Sequence, residues 1–132
     1  MKLLQAARVM CVALTVASAP ACAAALVGAG AAGAIGWTQR GAESTVNGTI
    51  DQNWNRAMST FRDMGIAQSD TKVENNGNER KLEGMHGDQM VTVVMRTKDS
   101  GTTYVEVTAK KNMVDYDRDY AKSVLTNIIN RT

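Results

Sequence analysis

Apolar and polar residues follow two different rhythms in the second part of this chain, and no rhythm at all in the first. From Asp51 to Met64, the residues Trp54, Ala57, Met58, Phe61 and Met64 recur at three- and four-residue intervals, the spacing of one face of an amphipathic helix. Thr49 or Asp51 can cap its start, and Gly65 can end it. Beyond Gly65 the period shortens to two. Ile66–Glu74 reads as a strand, and Asn75-Asn76-Gly77-Asn78 turns it into a return strand over Glu79–Met85, where Leu82 and Gly84 alternate with Lys81 and Glu83. Gly87-Asp88 leads into Gln89–Thr97, with Val91, Val93 and Met95 on one face. After Lys98-Asp99-Ser100-Gly101, the run Thr102–Lys110 turns Thr103, Val105, Val107 and Ala109 inward and Tyr104, Glu106 and Thr108 outward. A last helix starting near Asp115 aligns Tyr120 or Ala121 with Val124, Leu125, Ile128 and Ile129. Ahead of the first helix, Ala42–Ile50 is short and β-branched, a plausible first strand.

The predicted order is strand, helix, four strands in meander, helix. Antiparallel strands with one wet face need a cover on the other, and two amphipathic helices supply it. The expected fold is therefore α+β: a two-layer sandwich with an antiparallel sheet of about five strands (order β-α-β-β-β-β-α) and both helices on one face. It occupies residues 42–132, long enough for one modest core without disulfides.

The first part of the chain is of another kind. Lys2 and Arg8 are the only charged residues before Arg40, and Val9–Gly36 is mostly Ala, Val, Gly and Leu. A positive flank, an apolar run and small residues around Ala19-Pro20-Ala21 are the parts of a secretory signal. Pro20, the only proline, would break a helix just before the cleavage site. An uncut signal anchor is the competing reading, since the run exceeds the ~20 residues that span a bilayer. Gly28, Gly30, Gly33 and Gly36 weaken it by making the second half a poor helix.

Cys22 decides between kinds of signal. Cys11 lies in the apolar core and would be discarded, leaving Cys22 as a lone exported thiol with no disulfide partner. Lipid modification as the first mature residue removes that difficulty. Ser18-Ala19-Pro20-Ala21-Cys22-Ala23 resembles a bacterial lipoprotein box, with Ala19 where leucine is usual and an atypical Pro20. Ordinary cleavage with Cys22 incidental, or retention, are the other readings. The expected organisation is a signal peptide over 1–21, a lipidated N-terminus and Gly/Ala-rich tether over 22–41, and the α+β domain over 42–132.

Charge and chemistry narrow the function by exclusion. Without Lys2 and Arg8 the chain is neutral, which gives no electrostatic reason to expect nucleic acid or an anionic membrane as partner. Gly28-Ala29-Gly30-Ala31-Ala32-Gly33 spells a dinucleotide fingerprint, but a signal core precedes it and no βαβ unit follows. Ala24, Gly28, Ala32 and Gly36 have the small-xxx-small spacing of packed membrane helices, relevant only if the segment stays in a bilayer. His86 is the only histidine, so a zinc site lacks ligands and His86 reads as an exposed turn residue. Asp115, Asp117 and Asp119 alternate as in a calcium loop, but Tyr120 and Thr126 stand where glycine and glutamate are needed; the acids suit a helix start instead. Trp37 and Arg40 fit either a membrane interface or the domain edge, and the methionines Met58, Met64, Met85, Met90, Met95 and Met113 read as core filler. No metal or cofactor is expected.

Cys22 and the Gly/Ala tract, then Trp37 and Gly41, then Asp51, Trp54, Ala57, Phe61 and Gly65 together resemble a family of short bacterial lipoproteins grouped only as a domain of unknown function. The likeness covers most of residues 22–130. It implies a lipid-anchored envelope protein with this α+β layout, and it carries no catalytic residue. The expectation is a non-enzymatic envelope lipoprotein on the outer membrane facing the periplasm, a small structural or interaction module. Its partners would be the membrane, through lipid on Cys22, and an envelope protein. The candidate interaction face is Arg96, Tyr104, Glu106 and Thr108, with Thr92 beside them. The alternatives are a single-pass protein whose Gly/Ala helix self-associates, and a small periplasmic enzyme or ligand-binding protein.

Overall fold

Thr49 and Gln52 start the first helix by a reciprocal exchange. The Gln52 backbone N–H donates to Thr49 Oγ1 at 3.3 Å, and the Thr49 N–H donates to Gln52 Oε1 at 2.9 Å. This capping box fixes α1, Ile50–Asp63, and Gly65 ends it in the left-handed region at φ +67°. A computed structural model describes residues 34–131. The segment read as a signal, Cys22 and the Gly/Ala tract through Gly33 lie outside the described residues.

Six strands, all antiparallel, form one sheet: β1 Gly36–Trp37, β2 Gly41–Asn47, β3 Ala67–Glu74, β4 Glu79–His86, β5 Gln89–Asp99 and β6 Thr102–Lys110. A second helix, α2, spans Arg118–Ile129. The spatial order is β1-β2-β6-β5-β4-β3, so the meander β3 to β6 closes against β2, which entered first. The α+β class stands, but the count is six rather than about five. The added strand is β1, whose Gly36 pairs with Glu43 and whose Trp37 pairs with Ala42, inside the stretch read as tether. Two residues are too few to show a period, and the segment is held further by Ser44 Oγ donating to the Ala34 carbonyl at 3.0 Å and by Ile35 packing against the core.

Other boundaries move for local reasons. Ile50 belongs to α1 instead of the first strand, because Gly48 at φ +109° turns the chain before Thr49 caps the helix. The last helix starts at Arg118, three residues after Asp115, with Asp117 as its cap. On α1 the buried stripe is Ile50, Asn53, Ala57, Thr60 and Phe61; Trp54, Met58 and Met64 are half-buried at its rim. The expected stripe is thus rotated by two polar residues that packing admits because they are bonded. Asn53 Nδ2 donates to the carbonyls of Asn47, Gly48 and Thr49 at 3.2–3.3 Å, and Thr60 Oγ1 accepts from Arg131 Nε at 2.9 Å. Trp54 sits instead beneath the Arg80 guanidinium, 5.9 Å from its ring.

The core follows the alternation along β4, β5 and β6. Leu82, Val91, Val93, Met95, Val105 and Val107 are all fully buried. Over them α2 places Val124, Leu125 and Ile128, resting on β2 and β6, while α1 brings Ala57 and Phe61. Gly84 is where β4 meets the end of α1: a Cβ there would lie 2.8 Å from the Ala67 carbonyl oxygen and 2.9 Å from the Phe61 ring. Among the described residues no helix is long and apolar enough to cross a membrane.

Candidate functional site

The helices cover one face of the sheet and leave the other open. Because Val105 and Val107 turn toward the helices, Tyr104, Glu106 and Thr108 turn away. The β5–β6 register sets Arg96 opposite Tyr104 and Thr92 opposite Thr108. The four expected face residues and Thr92 therefore share the open side, on adjacent strands. Two further members were missed from the sequence. Glu43 of β2 lies directly opposite Glu106, and Glu79 of β4 lies opposite Arg96. Only strand order could reveal Glu43, since β2 reaches β6 across more than fifty residues of chain, whereas Glu79 needed only the register of the β4–β5 hairpin.

The electrostatics of this face are largely self-satisfied. Glu43 and Glu106, like charges across a strand pair, repel one another. Tyr104 Oη stands between them, donating to Glu43 Oε2 at 2.5 Å and lying 3.5 Å from Glu106 Oε2. Burial first, and the bond to Glu43 second, push the Tyr104 hydroxyl far above the usual tyrosine range, so it stays a donor. On the other side, the Arg96 guanidinium lies 5.9 Å from the Tyr104 ring centroid and its Nε donates to Glu79 Oε1 at 3.2 Å. The arrangement offers hydrogen bonds and charges to a partner. It places no activated nucleophile beside a base.

The remaining candidates have structural roles. His86 is exposed at the end of β4, its ring stacked on Tyr120 at 5.0 Å. Asp117 caps α2, accepting from the Tyr120 N–H at 2.9 Å, with Lys111 Nζ 3.4 Å from its other oxygen. The backbone bond first, then Lys111, holds its carboxyl below the usual range. Asp119 lies in the first turn of α2, and Asp115 accepts from Asn112 Nδ2 at 2.7 Å.

One end of the sheet was not foreseen as a unit. The β1–β2 turn, the Gly87-Asp88 turn and the loop after β6 all lie there. Trp37 is 46% exposed, with the Arg118 guanidinium and Lys122 Nζ each 5.0 Å from its ring centroid. Arg40 lies 5.7 Å from the Tyr116 ring. Asn112 Oδ1 accepts from the Val114 and Asp115 N–H groups, tightening a loop that pushes Met113 and Val114 to 87% and 81% exposure. The reading of the methionines as core filler is corrected here. Met95 is fully buried and Met58 and Met64 pack at the core's edge, but Met85, Met90 and Met113 are exposed.

A family model described as "Protein of unknown function (DUF3568)" matches residues 5–124 of the chain. No curated protein matches it.

Proposed function

The chain belongs to that family of unknown function, and from this premise we propose that it is a membrane-anchored bacterial envelope lipoprotein whose small domain acts without catalysis. Cys22 carries this reading. It follows an uncharged apolar run, small residues stand directly before it, and it would otherwise be an unpaired thiol in an exported chain. The family match begins at residue 5, so the apolar segment falls within the family's own span. Acylation of Cys22 would hold the domain to the envelope, on the outer membrane facing the periplasm. The open sheet face, with Arg96, Tyr104, Glu106 and Thr108, would be offered to an envelope protein. Its mixture of one aromatic with paired charges suits a modest protein contact better than catalysis.

Radiolabelled palmitate tests the anchor. The wild-type chain should take up label, and Cys22→Ser should lose it and either stay unprocessed or leave the membrane fraction. Two acyl chains or more make such anchoring stable. An unlabelled chain that is membrane-bound with or without Cys22 would replace this reading with the uncut signal anchor.

A further inference from the structure

We propose that the end of the sheet carrying Trp37, Met113 and Val114 is a membrane-contact surface that seats the domain against the phospholipid headgroup–acyl boundary. The proposal rests on Cys22 as the anchor and goes further by fixing which part of the domain meets the bilayer.

The distribution of exposed apolar side chains carries it. Among the described residues, the exposed large hydrophobics are Trp37, Val73, Met85, Met90, Met113 and Val114. All but Val73 lie at one end. Met85 pairs with Met90 beside the Gly87-Asp88 turn, Met90 pairs with Lys110, and the loop holding Met113 and Val114 continues from there. Trp37 stands directly before the β1–β2 turn, which the Thr38 N–H closes by donating to the Gly41 carbonyl, and beside the first turns of α2. Exposed apolar groups gathered at one end of the sheet, on both of its faces and across its width, mark a contact edge rather than scattered tolerance.

The polar groups at this end identify the occupant. Trp37 has the Arg118 and Lys122 cations over its ring, and Tyr116 carries Arg40 over its own. An indole and a phenol with cationic heads alongside are the side chains favoured at membrane–water boundaries. Asp88, Asp115, Asp117 and Asp119 nearly balance the cations there, so insertion rather than lipid charge would drive the contact. The chain also keeps the surface close. Cys22 is only twelve positions before Ala34, the first described residue, and that length spans at most about 40 Å when extended.

The two tryptophans supply an internal comparison. Trp54 lies under Arg80 of β4, four strand spacings from β1, or about 19 Å across the sheet. The full-length chain in phosphatidylethanolamine–phosphatidylglycerol vesicles containing brominated acyl chains should show severalfold stronger fluorescence quenching in Trp54→Phe, which reports on Trp37, than in Trp37→Phe. High salt should leave the difference unchanged. Adding Met113→Asp and Val114→Asp should abolish the excess quenching without shifting the unfolding midpoint, since both residues are solvent-exposed. If Trp54→Phe fails to fold, the aspartate pair in the otherwise wild-type chain gives the same answer through total quenching. Equal quenching of both tryptophans overturns the proposal, as does crosslinking of Trp37 to a protein without quenching by lipid. Preferential quenching of Trp37 in a chain that takes up no palmitate would remove the Cys22 anchor and keep the contact surface.

Discussion

Strands β6 and β3 belong to one sheet and have nearly equal length, yet they are held by different forces. In β6, nine residues alternate between fully buried Thr103, Val105, Val107 and Ala109 and half-buried outward partners. It lies between β2 and β5 with helices over its inner face. All eight residues of β3 are exposed. That strand is an edge, paired only with β4, and its register shifts between Gln68 and Asp70. Ladder hydrogen bonds and turn chemistry hold it: Asn75, Asn76 and Gly77 all take positive φ, the conformation these residues tolerate best. Asp70, Lys72 and Glu74 place charges along the open edge and so discourage pairing with other chains. The stability of this domain is concentrated on its β2–β6–β5 side, and β3 is an extension of the sheet more than a part of the core.

The largest effect expected from this contrast is at Leu125, fully buried where α2 crosses β2 and β6. Leu125→Ala removes that side chain and leaves a cavity, at a cost of about 2–5 kcal/mol. Urea unfolding should show the midpoint falling sharply. A loss below about 1 kcal/mol, no more than a typical point mutation, would mean that α2 is dispensable and the contrast mistaken.

A smaller effect is expected at the start of the same helix. Asp117→Ala deletes the cap and should cost about 0.5–2 kcal/mol at neutral pH. The Tyr120 N–H and Lys111 hold the Asp117 carboxyl below its usual range. Its contribution is therefore complete above the unfolded value near ~4 and is lost as pH falls through the lower folded-state value. Wild type and Asp117→Ala, compared by thermal unfolding, should differ at pH 7 and converge in strong acid. A gap that persists unchanged in strong acid would show that the carboxylate's charge is not what stabilises α2.

The β6 side was legible because burial writes a period into sequence. Val91, Val93 and Met95, Val105 and Val107, and Val124, Leu125 and Ile128 all fall where alternation or helical spacing puts them. The cap at Thr49, one of two candidates with Asp51, and the turn at Gly77 were legible from local residue type, though the reciprocal bond from Gln52 was not. What escaped depends on distant partners. Asn53 and Thr60 are buried because Asn47 and Arg131 bond them, and hydropathy gives no hint of that. Trp54, expected in the buried stripe, sits at its rim because Asn53 and Thr60 take the central positions. The open face was half legible: Tyr104, Glu106 and Arg96 follow from alternation, but Glu43 needed the pairing of β2 with β6. Met113 and Val114 look like core residues by composition, and only the Asn112 turn shows that they face solvent.

The smallest effect should come from β3 itself. Val73 is its one large apolar residue, on the same side as the core, yet at the edge of the sheet it is 63% exposed. Val73→Thr keeps the branched shape that suits an extended backbone and changes only a methyl into a hydroxyl already in water. Unfolding free energy should move by less than about 0.5 kcal/mol, the usual range for surface positions. The same exchange in β6, Val107→Thr, buries a hydroxyl among Val93 and the helices and should be felt several times more strongly. The two variants share one chemistry, so the ratio of their effects measures how unevenly the core supports the sheet. Equal losses would mean that β3 is packed against something, and that the edge is not free.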